Sequence, residues 1–231
     1  MWEGAAQYGV VNSRLLPPPT VVYSSLKSLI ASGKLWGHLS ITLLEVLTSF
    51  FISVPLGIIT GLLVAKQVYF RRVMGPFIYF LVSIPKSVFL PIFILTLGIG
   101  FKQKVAFGIA QAFFIVAINT AEAVGNVPRE LILLGKSCGA NTWQLYTKIY
   151  LPAMIPIVLV GVRLGMIFII TGVVLSEMYA SRSGIGWLIS SWVALFQMPE
   201  LFAGIFVASM ISIIINEMIR LYEKRVSQWR R

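Results

Sequence analysis

The run Leu133-Leu134-Gly135-Lys136-Ser137-Cys138-Gly139 contains the Gly-Lys-Ser triplet that closes a phosphate-binding loop. Such a loop wraps backbone N–H groups around a phosphate, and its full pattern, G-x-x-x-x-G-K-[ST], needs a glycine five residues ahead of Gly135. Glu130 stands at that place, where a carboxylate would repel the phosphate. No strand precedes the triplet, so this chain is not expected to bind ATP itself. The other reactive residues are few. The single cysteine, Cys138, excludes an internal disulfide, and the single histidine, His38, argues against a multi-ligand metal site. All eight acids are glutamate. Hydrolytic and redox chemistry have little to work with, and no catalytic residue, metal ligand or cofactor is assigned.

Other polar side chains matter for where they sit. Lys86, Asn119, Arg163 and Glu177 lie within strongly apolar stretches. At mid-bilayer a charge costs about 2.5–3.5 kcal/mol, so it turns toward protein or water. These four are the candidate lining of a solute path. Each also has a structural reading. Arg163 can snorkel or pair with a glutamate of another helix. Glu177, fourteen residues on, lies about 21 Å along a straight helix and is out of its reach. Lys86 follows Pro85, and local unwinding at Pro85 and Pro91 would bring it to a water-filled path. Asn119, Thr120 and Glu122 suit helix–helix contacts. Gly161 and Gly165 flank Arg163 in a G-x-x-x-G that lets another helix approach closely.

The elements that must hold these residues follow from composition. The 231 residues are 58% hydrophobic with only 12% charged, too little charged surface for a soluble domain of this size. The apolar residues come in long runs, so lipid is the solvent. Five transmembrane helices of roughly 20 residues can be read, near Leu39–Ala65, Pro76–Leu97, Val105–Val124, Ala153–Met178 and Leu201–Leu221. Residues 183–199, "SGIGWLISSWVALFQMP", read as an interfacial or re-entrant helix. The net charge of +11 suggests nucleic acid, but the cations gather between the runs and at the C-terminus. With the loop 66–75 cytoplasmic, eleven of the 19 basic residues lie inside. Six lie outside, Lys102 and Lys104 among them, which puts the C-terminus and the 126–152 loop in the cytoplasm.

That loop is the most informative part of the chain. "PRELILLGKSC" reads as a helix with Pro128 at its start, and Gly139 breaks it because glycine takes positive φ without steric cost. Asn141 suits an N-cap, with Gln144 three residues on. A second helix over Thr142–Tyr150 would align Trp143, Tyr146, Thr147 and Tyr150, with Leu151-Pro152 closing it. Two uses are open: aromatics resting on lipid headgroups, or a docking helix for a soluble partner.

Gly139, nine residues, Ile149, one residue, then Leu151-Pro152 resembles the cytoplasmic signature E-A-A-x3-G-x9-I-x-L-P of the permease subunits of binding-protein-dependent ABC importers. "PLGIITGLL", "SIPKSVFLPIFILTLGIG", "GVRLGMIFIITGVVLSEM", "GIGWLI" and "EKRVSQWRR" are similar, in order, to the nitrate/sulfonate/taurine-type branch over residues 15–231.

The resemblance implies an all-α, polytopic membrane protein with a cytoplasmic coupling helix. The family has six spans, so it implies one more ahead of Met1 and makes residues 1–38 an extracytoplasmic segment. Residues 39–222 would be the permease domain and 223–231 a basic cytoplasmic tail. It further implies a plasma-membrane homodimer taking a small anionic or polar solute from an extracytoplasmic binding protein. A separate ATPase subunit would use the ATP. By position, Leu133, Gly135, Gly139, Ala140, Trp143, Tyr146, Ile149, Leu151 and Pro152 would couple to that ATPase. The chain departs from the signature at its start, where Leu133, Leu134 and Gly135 replace E-A-A. The alternatives are the transmembrane scaffold of an energy-coupling-factor vitamin importer, which has two Arg-bearing coupling motifs where this chain has one docking loop, an intramembrane enzyme, and a passive channel.

Overall fold

The computed structural model describes residues 2–3, 12, 15–66, 73, 77, 80 and 83–227. Among them there are helices and no strand. In chain order they are α1 (Pro19–Ala31), α2 (Lys34–Lys66), a 3₁₀ turn (Lys86–Phe89) leading into α3 (Leu90–Leu97), α4 (Phe101–Gly125) and α5 (Arg129–Ser137). Then come α6 (Thr142–Tyr179), α7 (Ile185–Ala194) and α8 (Met198–Ser227).

Four helices are long and apolar enough to cross a membrane: α2, α4, α6 and α8. They answer four of the five expected spans, and each begins earlier than the apolar run alone suggests. Of the expected span 76–97, Lys86–Leu97 is described as a shorter apolar helix. Residues 74–76, 78–79 and 81–82 lie outside the described residues, as do 67–72 of the 66–75 loop. So do Arg14, Arg71, Arg72, Arg230 and Arg231, which entered the orientation count. Backbone unwinding is present at Pro85, where Ile84 and Pro85 are non-helical ahead of the 3₁₀ turn, but not at Pro91, which lies in the first turn of α3, where a missing N–H is harmless.

The chain divides into two compact units, and the four long helices contribute residues to both. The first unit comprises Met1–Thr48, Leu90–Phe107 and Ile170–Ile214. Pro18, extended, caps α1, and Pro19 starts it where a missing N–H is harmless. Leu29 of α1, Leu35 of α2, Trp192 of α7 and Ala203 of α8 form its apolar core. With 10 residues, about 15 Å, α7 cannot cross a hydrocarbon layer of about 30 Å. Its Trp192 is buried, with its ring over Gly204 of α8. A short helix has few intrahelical bonds of its own, and burying that ring ties it to its neighbours.

The second unit comprises Ser49–Phe89, Gly108–Ile169 and Ile215–Arg231. Val54, Val116 and Val162 meet at its centre, one each from α2, α4 and α6. Val116 fits between two glycines: a Cβ on Gly57 of α2 or on Gly165 of α6 would stand 2.8 Å from its side chain. The G-x-x-x-G around Arg163 therefore seats α4, as close helix approach requires. A further cluster of Ala123, Val127 and Met154, with Ile132, Ile149 and Tyr150 against it, joins α4, α5 and the start of α6.

Candidate functional site

In the second unit, α5 and the first turns of α6 form a compact helix–turn–helix. Glu130, in the first turn of α5, and Lys136, in its last, complement the helix dipole. The helix ends in a Schellman closure: Gly139 has φ +75°, its N–H donates to the Lys136 carbonyl at 3.0 Å, and the Ala140 N–H donates to the Gly135 carbonyl at 3.0 Å. Two residues later α6 starts in a full capping box. The Gln144 N–H donates to Asn141 Oδ1 at 2.8 Å, and the Asn141 N–H donates to Gln144 Oε1 at 2.9 Å. The turn is thus held from both sides by local bonds.

Gly135 shows why α5 and α6 lie so close. It is buried, and a Cβ there would run into Ile149 Cδ1 and stand 2.9 Å from Leu145 Cδ2. With Leu145 and Ile149 seated there, Leu133 and Trp143 are 64% and 75% exposed, and Tyr146 and Leu151 are exposed too. Tyr146 stacks on Tyr150 with ring centroids 5.3 Å apart. The predicted coupling residues thus divide. Leu133, Trp143, Tyr146 and Leu151 form an outer apolar set, Gly135 and Ile149 lock the two helices, and Gly139 and Ala140 make the turn. The residue missed in the sequence is Leu145, buried opposite Trp143.

One expectation is overturned. Leu151-Pro152 does not close a separate helix, because Thr142–Tyr179 is one continuous helix of 38 residues. The chain passes the proline through a π-helical turn over Tyr146–Tyr150, in which the Leu151 N–H donates to the Tyr146 carbonyl. Pro152 has no N–H to offer a carbonyl one turn back, and a widened turn accommodates it without ending the helix.

The path candidates are spread over both units. Arg163 Nη1 lies 3.7 Å from Glu223 Oε2 of α8 within the second unit, the partner-helix reading considered for it. Asn119 donates to the Ile115 carbonyl at 2.8 Å and stands against Gly161. Lys86 opens the 3₁₀ turn and is half-buried. Glu177, in the first unit, is fully buried at the hub of a polar cluster.

That cluster serves the start of α7. Gly184 has φ +103°, and three successive backbone N–H groups each find a side chain of another helix. Gly184 donates to His38 Nδ1 at 3.1 Å, Ile185 to Thr42 Oγ1 at 2.9 Å, and Gly186 to Glu177 Oε2 at 2.8 Å. Thr42 Oγ1 in turn donates to Glu177 Oε1 at 2.7 Å. The orphan donors of a helix N-terminus are thereby satisfied away from water. His38 also stacks on Trp187, centroids 5.2 Å apart. Beside this, Lys104 is ion-paired with Glu45 and donates to Ser181 Oγ at 3.2 Å. Its expected place in an outer loop is corrected: α4 begins at Phe101, and Lys104 is 2% exposed. Gly184→Ala is predicted to cost about 1–3 kcal/mol, since φ is positive and the new Cβ would meet the Glu177 carboxylate. A fall in melting temperature of the detergent-purified protein measures it.

Residues 53–228 match the family model described as the inner membrane component of binding-protein-dependent transport systems. The chain belongs to that family. It is a transmembrane permease subunit of the ABC-importer type, and its matched region contains the whole α5–α6 turn. The permease is 30% identical over 230 residues, all of this chain and 83% of the other, to a putative aliphatic sulfonates transport permease of Bacillus subtilis. It is 29% identical to a riboflavin transport system permease of Chloroflexus aurantiacus, covering 99% of this chain and 85% of that one. With the taurine transport permease of Escherichia coli it shares 25% identity, over 99% and 85% of the two chains. These relatives place the permease in the sulfonate/taurine-type branch. Its fold resembles an inward-facing structure of the MetNI methionine ABC transporter, with TM-score 0.66 and 17% identity over 87% of this chain and 98% of that one.

Proposed function

We propose that this permease imports a small anionic or polar solute of the sulfonate, taurine or nitrate type, delivered by an extracytoplasmic binding protein and driven by a separate ATPase subunit. The ATPase docks on the α5–α6 turn. The observation carrying this reading is the exposed Leu133, Trp143 and Tyr146 on a scaffold held by a Schellman closure and a capping box. An apolar face on a rigid turn at the start of α6, ahead of the apolar run that begins at Ala153, is what a soluble partner covers, with the aromatic residues as anchors. ATP-driven closure of the ATPases moves two such elements together in a homodimer. The spans then exchange inward- and outward-facing states, a two-state shift in which the loaded binding protein favours one of them. The turn and the C-terminus are cytoplasmic in a plasma-membrane protein, and this chain holds no cofactor. The anionic solute follows the sulfonate and taurine permeases among its relatives.

Cys138 provides the test, being exposed beside Gly139 at the turn. Co-expression with the partner ATPase carrying one cysteine at its groove should give a nucleotide-dependent oxidative cross-link. Labelling of Cys138 from outside the cell by an impermeant thiol reagent, with no cross-link, would refute both the orientation and the docking role.

A further inference from the structure

The π turn has a geometric consequence for the coupling element. In an uninterrupted α-helix, at about 100° per residue, Ile149 would stand about 140° and Leu145 about 180° round the axis from Met154. Met154 is buried on the inner cluster, so both side chains would then point away from that cluster. Trp143 would stand only about 20° from Met154, turned into the protein. None of this is found: Leu145 is buried, Ile149 lies against the inner cluster, and Trp143 is 75% exposed. One residue absorbed by the wider π turn removes about 100° of rotation between the residues ahead of it and Met154. That brings Leu145 to about 80° of Met154 and carries Trp143 out to about 80° on the other side, while Ile149, within the turn, is rotated part of the way toward Met154. The direct sign of that absorbed residue is the Leu151 N–H, which donates to the Tyr146 carbonyl and not to that of Thr147.

We propose that the π turn at Tyr146–Tyr150 is a one-residue insertion that sets the phase of the ATPase-docking face relative to the span that follows. It is a positioning device: it touches neither ATP nor solute, and it acts by deciding which side of α6 meets the partner. The inference rests on the reading of this face as the ATPase dock. It makes a prediction that runs against ordinary expectation for helices. Deleting one residue from a helix normally rotates everything on one side of the cut by about 100°. Deleting one residue from this turn closes it to α and leaves the phase unchanged.

The test compares two variants of the full chain, co-expressed with the ATPase. In one, Lys148, an exposed residue of the turn, is deleted; in the other an alanine is inserted after Lys148. Capture of the ATPase subunit from solubilised membranes is the first readout. The deletion should capture it within about twofold of the parent, and the insertion should lose about tenfold or more, as for a displaced anchor residue. The second readout is thiol labelling of Trp143→Cys and Leu145→Cys, each in a Cys138→Ser background and expressed without the ATPase so that the docking face is open. Position 143 should be reactive and 145 protected in the parent and in the deletion, with 145 becoming reactive in the insertion. The proposal is overturned if the deletion loses capture as badly as the insertion, fails to accumulate in the membrane, or exposes position 145. It is equally overturned if the insertion behaves as the parent. Should Trp143→Ala leave capture by the parent unchanged, the docking reading fails, and the labelling pattern still reports the phase.

Discussion

Replacing Lys104 by methionine is expected to cost about 3–5 kcal/mol, the usual penalty when one partner of a buried ion pair is removed and the other charge is left behind. Lys104 and Glu45 are both essentially inaccessible, and the Glu177 carboxylate is buried in the same unit. The lysine is the cation paired with the buried Glu45 carboxylate, and its amino group also donates to Ser181 in the turn between α6 and α7. The variant should accumulate poorly in membranes and melt well below the parent. The control that makes this specific is the double variant Lys104→Met with Glu45→Gln, which removes both charges together. Neutral side chains of similar size avoid the uncompensated charge, so the double variant should recover most of the loss. If the single and double variants are equally unstable, the charge-balance account is wrong and the defect is one of packing.

The second large effect concerns the dock. Trp143→Ala is expected to weaken ATPase capture by about 2 kcal/mol or more, some 30-fold, with no change in melting temperature. The side chain is the most exposed of the coupling set and contacts little of its own chain, so its removal leaves no cavity. Quantitative co-purification of the ATPase subunit at graded concentrations checks this, with Tyr23→Ala as a comparison: also an exposed aromatic, it lies in α1 of the other unit. Equal capture by the Trp143→Ala variant and the parent would remove this residue from the interface. Gly135→Val should weaken capture by a different route, because the new side chain displaces Leu145 and Ile149 and tilts α5 from α6.

Much of the coupling element was legible in the sequence because its determinants are local. Gly139 at a positive φ, the Asn141–Gln144 box and the start of α5 behind Pro128 need only residues within one turn of each other. The long spans were legible for a similar reason: an apolar run can satisfy its own backbone in lipid only as a helix. Local pattern misled where a distant partner overrode it. Leu151-Pro152 reads as a stop, yet the helix continues, because Leu145 and Ile149 are held on Gly135 and a π turn absorbs the proline. Lys104 reads as a loop cation because it stands at the edge of an apolar run, and only α2 supplies the Glu45 that draws it inside.

The same division holds for the whole protein. Composition and the order of its apolar runs are enough to make this chain a polytopic helical membrane protein, since a continuous apolar run of about 20 residues pairs its own backbone in lipid only as a helix. The spacing from Gly139 to Pro152 is enough to single out the element we propose as the ATPase dock. What tertiary structure decided is the pairing of polar groups far apart in the chain: His38, Thr42 and Glu177 on the first N–H groups of α7, and Arg163 with Glu223. It also decided which side of α6 carries the aromatic face. Those outcomes depend on which helices become neighbours and at what rotation, quantities set by the packing of many side chains at once and written in no single stretch of the sequence.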